Sequence, residues 1–302
     1  MSRLSQSNYL LPLCGSRRRQ EIPPQDHESS IGQDADSPKT QQAYSQANDG
    51  TVNTRNNEIR GIMKVSWFSA GVSSAVATKM AIGNMGLDKV IYIHVDDQHP
   101  DSMRFVKDCE EWFGQEVEIM QSPFKNVRDA CMMHGKGYIN GPHGANCTRH
   151  LKKMVRIKWE YELPIDTNLI YVWGMDSGEA SRAERLTKSM TDQQHIFPLV
   201  ELGISKAHAH RILKASGIPR PEMYNLGYPN NNCKGCVKGG MGYWNHIRVD
   251  FPDVFADRAK MEREVGHTCI KGVFLDELDP DRGRFAPIII DDCGIFCELE
   301  AL

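Results

Sequence analysis

The sequence predicts an α/β fold, a doubly wound, mostly parallel sheet followed by a small cysteine-rich C-terminal subdomain. Three observations predict it. Short runs rich in Val and Ile alternate with stretches of helical spacing from Lys64 to Ser216, the pattern of βαβ units. The first run leads directly into a loop of small residues and then a helix, as strand-end ligand loops do in such sheets. After Gly227 the alternation stops, and Cys, Gly, Asn and aromatic residues take over.

Lys64–Phe68 reads as the first strand. Ser73–Ile82 has helical spacing, with Gly83 as its stop signal. Lys89–Val95 is the second strand, and Asp101–Phe113 a helix with Phe105, Val106, Cys109, Trp112 and Phe113 on one side. Glu116–Met120, Leu169–Trp173 and Ile196–Val200 are the third, fourth and fifth strands, and Lys206–Ser216 a further helix. Right-handed crossovers then gather the loops at the carboxyl ends of the strands on one edge, where ligands bind. Residues 61–228 are thus expected to form the α/β domain and 229–302 the cysteine-rich subdomain, with a helix from Phe251 through Glu264.

Residues 1–60 are rich in Ser, Gln, Asn and Asp and have almost no apolar periodicity. Such a segment cannot bury enough surface to offset its ordering entropy, so it is expected to be a disordered extension, with the natural start at Met63. The 302 residues are 40% hydrophobic and 25% charged, with a formal net charge of −3. That balance is ordinary for a soluble protein, and nucleic-acid binding is not indicated by charge. No apolar run approaches the roughly 20 residues that span a bilayer. The patch Tyr9–Leu13 has no basic segment worth the name before it, so a cytoplasmic protein is expected. Most of the nine cysteines then read as reduced thiols.

Ser69, Ala70, Gly71, Val72, Ser73 and Ser74 join the first strand to its helix. The glycine lets the backbone approach a phosphate, the hydroxyls donate to its oxygens, and the helix offers free N–H groups and its positive end. It is neither a Walker A loop nor a Gly-x-Gly-x-x-Gly fingerprint. It resembles the PP-loop, Ser-Gly-Gly-x-x-Ser, of the adenine nucleotide α-hydrolase-like superfamily, with Ala70 in place of the second-position glycine. A methyl is compatible there if φ is negative.

Further segments resemble the phosphoadenosine phosphosulfate (PAPS) reductase branch of that superfamily, in the same order over 64–240. They are His94-Val95-Asp96-Asp97, Pro100-Asp101-Ser102-Met103, and Cys147 through Lys152. Gly174 to Arg182, including Glu179, resembles the family's Gly-x-x-x-x-Glu-x-x-Arg segment. Pro198-Leu199, then Tyr224, Gly227 and Tyr228 before Cys233-x-x-Cys236, resemble its closing elements. The resemblance implies a Rossmann-like fold binding an adenine nucleotide, ATP or PAPS, with Mg²⁺ as a candidate companion of the phosphates. Lys152, Arg182 and Arg185 are then candidates to neutralise phosphate or sulfate, or else ordinary surface charge. Asp96 is a candidate for a ribose hydroxyl or Mg²⁺, the alternative being a helix N-cap.

Cys233-x-x-Cys236 and Cys293-x-x-x-Cys297 lie in glycine-rich surroundings and make a candidate four-thiolate site for Zn²⁺ or an iron–sulfur cluster, with Cys147 a further candidate ligand or a thiol near the nucleotide. A second reading of Cys293 competes. Asp292-Cys293-Gly294-Ile295-Phe296 resembles the Glu-Cys-Gly-Ile/Leu-His segment of PAPS reductases, without the histidine. That resemblance makes Cys293 the nucleophile on a sulfonucleotide, with a thioredoxin-type donor, or another sulfur donor, as partner. In an ATP-using version the loop hydroxyls, Ser74 among them, assist loss of pyrophosphate. A non-catalytic nucleotide-binding accessory protein is the alternative from another class. Tyr243 and Trp244 read as core, and Asp276–Asp281 as solvated charge.

Overall fold

The computed structural model describes residues 61–133, 137–141 and 144–284. The expectations for residues 1–60, Cys293 and Cys297 lie outside the described residues.

Five strands form one parallel sheet: β1 (Ile62–Phe68), β2 (Lys89–His94), β3 (Val117–Gln121), β4 (Asn168–Val172) and β5 (Gln194–Ile196). Their order is β3-β2-β1-β4-β5. The chain therefore lays down β1 to β3 in one direction, then returns to the far side of β1 for β4 and β5. Parallel strands need crossovers, and helices supply them: α1 (Val72–Met85) between β1 and β2, and α2 (Asp101–Phe113) between β2 and β3. A composite helix precedes β4. It runs from α4 (Asn146–Thr148) through a π-helical turn (Arg149–Lys153) into α5 (Met154–Glu162), after the shorter α3 (Val127–Met132).

The two faces of β1 explain the layering. Side chains alternate along a strand, so Val65 and Trp67 point one way and Phe68 the other. Trp67 meets Trp159 of α5 edge-on at 5.5 Å and Tyr171 of β4 at 5.7 Å. Phe68 joins a second cluster with Val90, Tyr92, Phe105 and Phe113, covered by α1, α2 and α8 (Lys206–Ala215). Residues Val72–Thr78 of α1 are all buried and mostly small, which lets the helix lie close against the strands. Its buried hydroxyls are satisfied locally: Thr78 shares a 2.7 Å hydrogen bond with Ser66 and donates to the Ser74 carbonyl at 2.8 Å.

Two expected boundaries are corrected. Gly83 does not stop α1; it lies exposed within the helix, where glycine costs only about 1 kcal/mol relative to alanine. The stop is Gly86 at φ +65°, three residues on. The fifth strand is Gln194–Ile196, and Pro198 begins the four-residue helix α7 (Pro198–Glu201). Proline lacks the N–H a ladder needs but fits the first turn of a helix.

Beyond α8 come α9 (Glu222–Asn225), α10 (Met241–Asp250) and α11 (Pro252–Val265). Trp244, Ile247, Met261 and Val237 form a further core with Val95, Val127, Ala130 and Leu151. Trp244 is fully buried there, as core. Asp276 and Glu277 pair with Arg263 at 2.7 and 2.6 Å on the surface.

Candidate functional site

The strand order reverses beside β1, and open α/β sheets carry their ligand crevice at such a switch point. Ser66 pairs with Val172, so the loops after β1 and β4 leave the sheet side by side. Both contain residues singled out by the sequence.

In the β1–α1 loop, Ala70 sits at φ +56°, fully buried. The condition of a negative φ is therefore not met: the loop requires the left-handed conformation that glycine adopts freely, and alanine bears the strain. Surrounding contacts hold it there. The Ser69 N–H donates to Ser74 Oγ at 3.0 Å, closing the loop on itself. Asn231 Nδ2 donates to the Ala70 carbonyl at 2.7 Å, and also reaches Ser102 Oγ at 3.1 Å. The Val72 N–H donates to the Tyr224 hydroxyl at 3.3 Å. Burial pushes the Tyr224 phenol up, so it keeps its proton.

The β4 loop closes on the same helix end. A Cβ on Gly174 would stand 2.2 Å from Ser74 Cα and 2.8 Å from its N, so only glycine allows this approach. Asp176, buried, caps a 3₁₀ turn (Ser177–Glu179) by accepting the Gly178 N–H at 3.0 Å, and accepts the Ser73 hydroxyl at 3.5 Å. Glu179 completes a capping box by accepting the Asp176 N–H. Ser69, Ala70, Gly71, Val72, Ser73, Ser74, Gly174 and Glu179 thus share one neighbourhood.

The cations are placed differently. Arg182 lies on α6 (Ala180–Ser189), mostly exposed, and binds Glu179 at 2.5 Å. Arg185 is exposed on the same helix. Asp96 follows β2 and caps no helix; it accepts from Gln121 at 2.5 Å and lies 3.6 Å from His94 Nε2. Lys152 is exposed in the π-helical turn, and its charge acts on Cys147, Cys233 and Cys236.

The Cys233–Cys236 corner turns at Gly235, φ +67°, where a Cβ would meet Val254 at 2.7 Å. Tyr243 clamps it, donating to the Cys233 carbonyl at 3.0 Å and accepting the Cys236 N–H at 2.9 Å. Burial pushes the Cys233 thiol up to about 12 and also raises Cys236. Among the described residues no three Cys, His, Asp or Glu side chains are disposed to hold one metal ion. The other two members of the expected four-thiolate set, Cys293 and Cys297, lie outside those residues.

Sequence reasoning missed Asn231, Asp176, Cys131 and the buried pair Asp97–Arg258 as parts of this region. Asp97 and Asp176 stand inside the His94–Asp97 and Gly174–Arg182 segments and Asn231 two residues before Cys233, but the sequence alone gives none of them a role. Cys131 and Arg258 carry no local signal, because only the tertiary fold brings them in.

The molecule is therefore a parallel α/β protein with a strained, buttressed loop and a helix N-terminus at its switch point. No family model matches the chain, and no curated protein matches it. Among solved structures it is similar to the crystal structure of phosphoadenylyl-sulfate (PAPS) reductase from Candida auris, a phosphate complex. The TM-score is 0.40 and the identity 14%, over 55% of this chain and 78% of that one. No helix among the described residues is long and apolar enough to cross a membrane.

Proposed function

We propose that the chain is an enzyme that binds the phosphates of an adenine nucleotide at Ser69–Ser74 and acts in sulfur transfer or sulfonucleotide reduction. One observation carries this reading. The first turn of α1 begins at the switch point with no acidic residue, beneath a loop fixed in place by Asn231 and Tyr224. Backbone N–H groups and the helix dipole favour an anion there, and the hydroxyls of Ser69, Ser73 and Ser74 add donors. The Ser73 bond to Asp176 is long at 3.5 Å, which leaves that hydroxyl free to turn toward a phosphate. Lys152, Arg182 and Arg185 would neutralise charge on the bound anion, Arg182 by exchanging Glu179 for it.

The adenine and the sulfur rest on the ordered PAPS reductase-like segments between 64 and 240. In that chemistry the Cys293 thiolate attacks the sulfur of the sulfonucleotide. An S–S bond forms as the O–S bond breaks, adenosine bisphosphate leaves, and a dithiol then releases sulfite. Phe296, where the family has histidine, favours a second reading. In it ATP binds at the same loop, a substrate oxygen attacks the α-phosphate, and pyrophosphate leaves.

Product analysis separates the two. With PAPS, sulfite that vanishes in Cys293→Ser is the expected result for the reductase. Pyrophosphate from ATP without sulfite would establish the second reaction. Under either, Ser74→Ala is expected to lower turnover roughly 100-fold, the usual loss for one preorganised donor. Release of neither product by the wild type would overturn both.

A further inference from the structure

Among the described residues, Ala70 and Lys125 alone combine a side chain with a positive φ, at +56° and +60°. Their settings differ. Lys125 is exposed, whereas Ala70 is fully buried in the core with Phe68, Val72 and Ala75. A strained backbone persists only where its surroundings over-determine it, and such places cluster at ligand clamps.

Asn231 supplies that constraint from the segment after α9, and it is itself buried. Its Nδ2 donates to the Ala70 carbonyl at 2.7 Å. Ser102 Oγ, in the first turn of α2, lies 3.1 Å from Nδ2 and 3.3 Å from Oδ1 of the same amide. The reverse amide would set two acceptor oxygens 2.7 Å apart, so the nitrogen faces Ala70.

A trans peptide is planar, and its carbonyl and N–H point to opposite sides. Holding the Ala70 carbonyl on Asn231 therefore turns the Gly71 N–H away from Asn231. The N–H groups of Ser69 and Val72 are taken up by Ser74 Oγ and the Tyr224 hydroxyl. Among the described residues nothing accepts from those of Gly71, Ser73 and Ser74. Three such donors at the start of a 14-residue helix are what an anion meets there. A negative φ at residue 70 would rotate the peptide and take Gly71 out of the set.

We propose that Asn231 is a positioning residue, which latches the Ala70–Gly71 peptide in the left-handed setting that gives the phosphate loop its Gly71 donor. Ser102 orients the latch. This role rests on the reading of Ser69–Ser74 as a phosphate site. The loop is then a two-state element in which one hydrogen bond opposes backbone strain. Without the latch, a bound nucleotide must itself drive residue 70 into the left-handed region.

Four full-length proteins test it: the wild type, Asn231→Ala, Ala70→Gly and the double variant. Each is titrated with ATP and with PAPS, and unfolded in urea without ligand. Asn231→Ala is expected to lose on the order of tenfold in affinity, the factor by which alanine resists the left-handed region. The double variant should regain most of that loss, since glycine enters the region freely. A merely structural role, in holding the 229–232 segment, would lower affinity with no such rescue. Ala70→Gly should shift the urea midpoint upward more in the wild-type background, where strain is enforced, than beside Asn231→Ala, where it is released. Ser102→Ala removes only the hydroxyl beside the amide; it should give the same pattern at smaller size, and it replaces Asn231→Ala if that variant does not fold. Unchanged affinity in Asn231→Ala, or a double variant no better than the single, would overturn the latch. Equal midpoint shifts in the two backgrounds would overturn it as well, whether or not nucleotide binds. Binding of neither nucleotide by the wild type would instead overturn the phosphate reading, with the urea comparison still deciding the latch.

Discussion

Asp97→Asn is expected to destabilise the protein by about 3 kcal/mol, read as a drop in the urea midpoint. The Arg258 guanidinium is almost wholly buried and is paired with Asp97 and Asp257. Asp97 is itself largely buried, whereas the Asp257 side chain is 41% exposed, so Asp97 supplies most of the compensating charge away from water. Removing one partner of a buried pair leaves an uncompensated charge, at a typical cost of about 3–5 kcal/mol; Asp257 keeps the loss near the lower figure. Asparagine retains an oxygen for the Val127 N–H, which donates to Asp97 Oδ2 at 2.5 Å and opens α3. The substitution therefore isolates charge from capping. Arg258→Met in the same chain should recover most of the loss, because replacing a buried pair by apolar volume is often neutral. A single variant as stable as the wild type would show that Asp97 does not carry this pair.

Gly174→Ala is expected to cost about 3 kcal/mol or more and to abolish nucleotide binding. The new Cβ would overlap Ser74 Cα at 2.2 Å and Ser74 Cβ at 2.5 Å. The atom that must yield is backbone at the first turn of α1, and that turn is anchored by Tyr224 on Val72 and by the Thr78 bonds to Ser66 and the Ser74 carbonyl. Overpacking a well-packed site typically costs about 1–3 kcal/mol, and a rigid backbone neighbour places this case at the upper end. Relief by moving α1 away from β4 would open the loop, so stability and affinity should fall together in urea unfolding and calorimetric titration. Retained affinity at wild-type stability would contradict the close approach of the two loops.

These effects also show what was legible in the sequence. The first four strands of the sheet and helix α2 could be read because strand and helical patterns are local, and α2 ends at Gly114 with its N–H on the Glu110 and Glu111 carbonyls. The structure departs from the sequence pattern at Gly83, which lies inside α1, and at Ile196–Val200, where the strand ends at Ile196 and Pro198 opens a helix. An exposed glycine need not end a helix, and apolar residues around Pro198 need not form a strand. The phosphate loop could be recognised, but the φ of Ala70 could not, since the Asn231 bond that holds it comes from 161 residues away. Gly174 could be singled out by resemblance, yet its reason is a contact with Ser74 that exists only once β4 lies beside β1. The cysteines show the same limit. Spacing revealed Cys233 and Cys236, whereas the packing of Cys131 and Cys147 on one core depends on how α3 meets α4.

The central claim is that a nucleotide places its phosphates on the loop at the switch point. Equilibrium titration of ATP and of PAPS into the wild type and Ser69→Glu tests it most directly. The Ser69 side chain is exposed, and the loop-closing bond uses its backbone N–H, so glutamate should leave the fold intact while setting a carboxylate against the incoming phosphates. The wild type is expected to bind at least one nucleotide, and the variant to lose at least roughly tenfold in affinity, on the order of 1.4 kcal/mol. Equal affinity in the two proteins, or no binding of either nucleotide by the wild type, would contradict it.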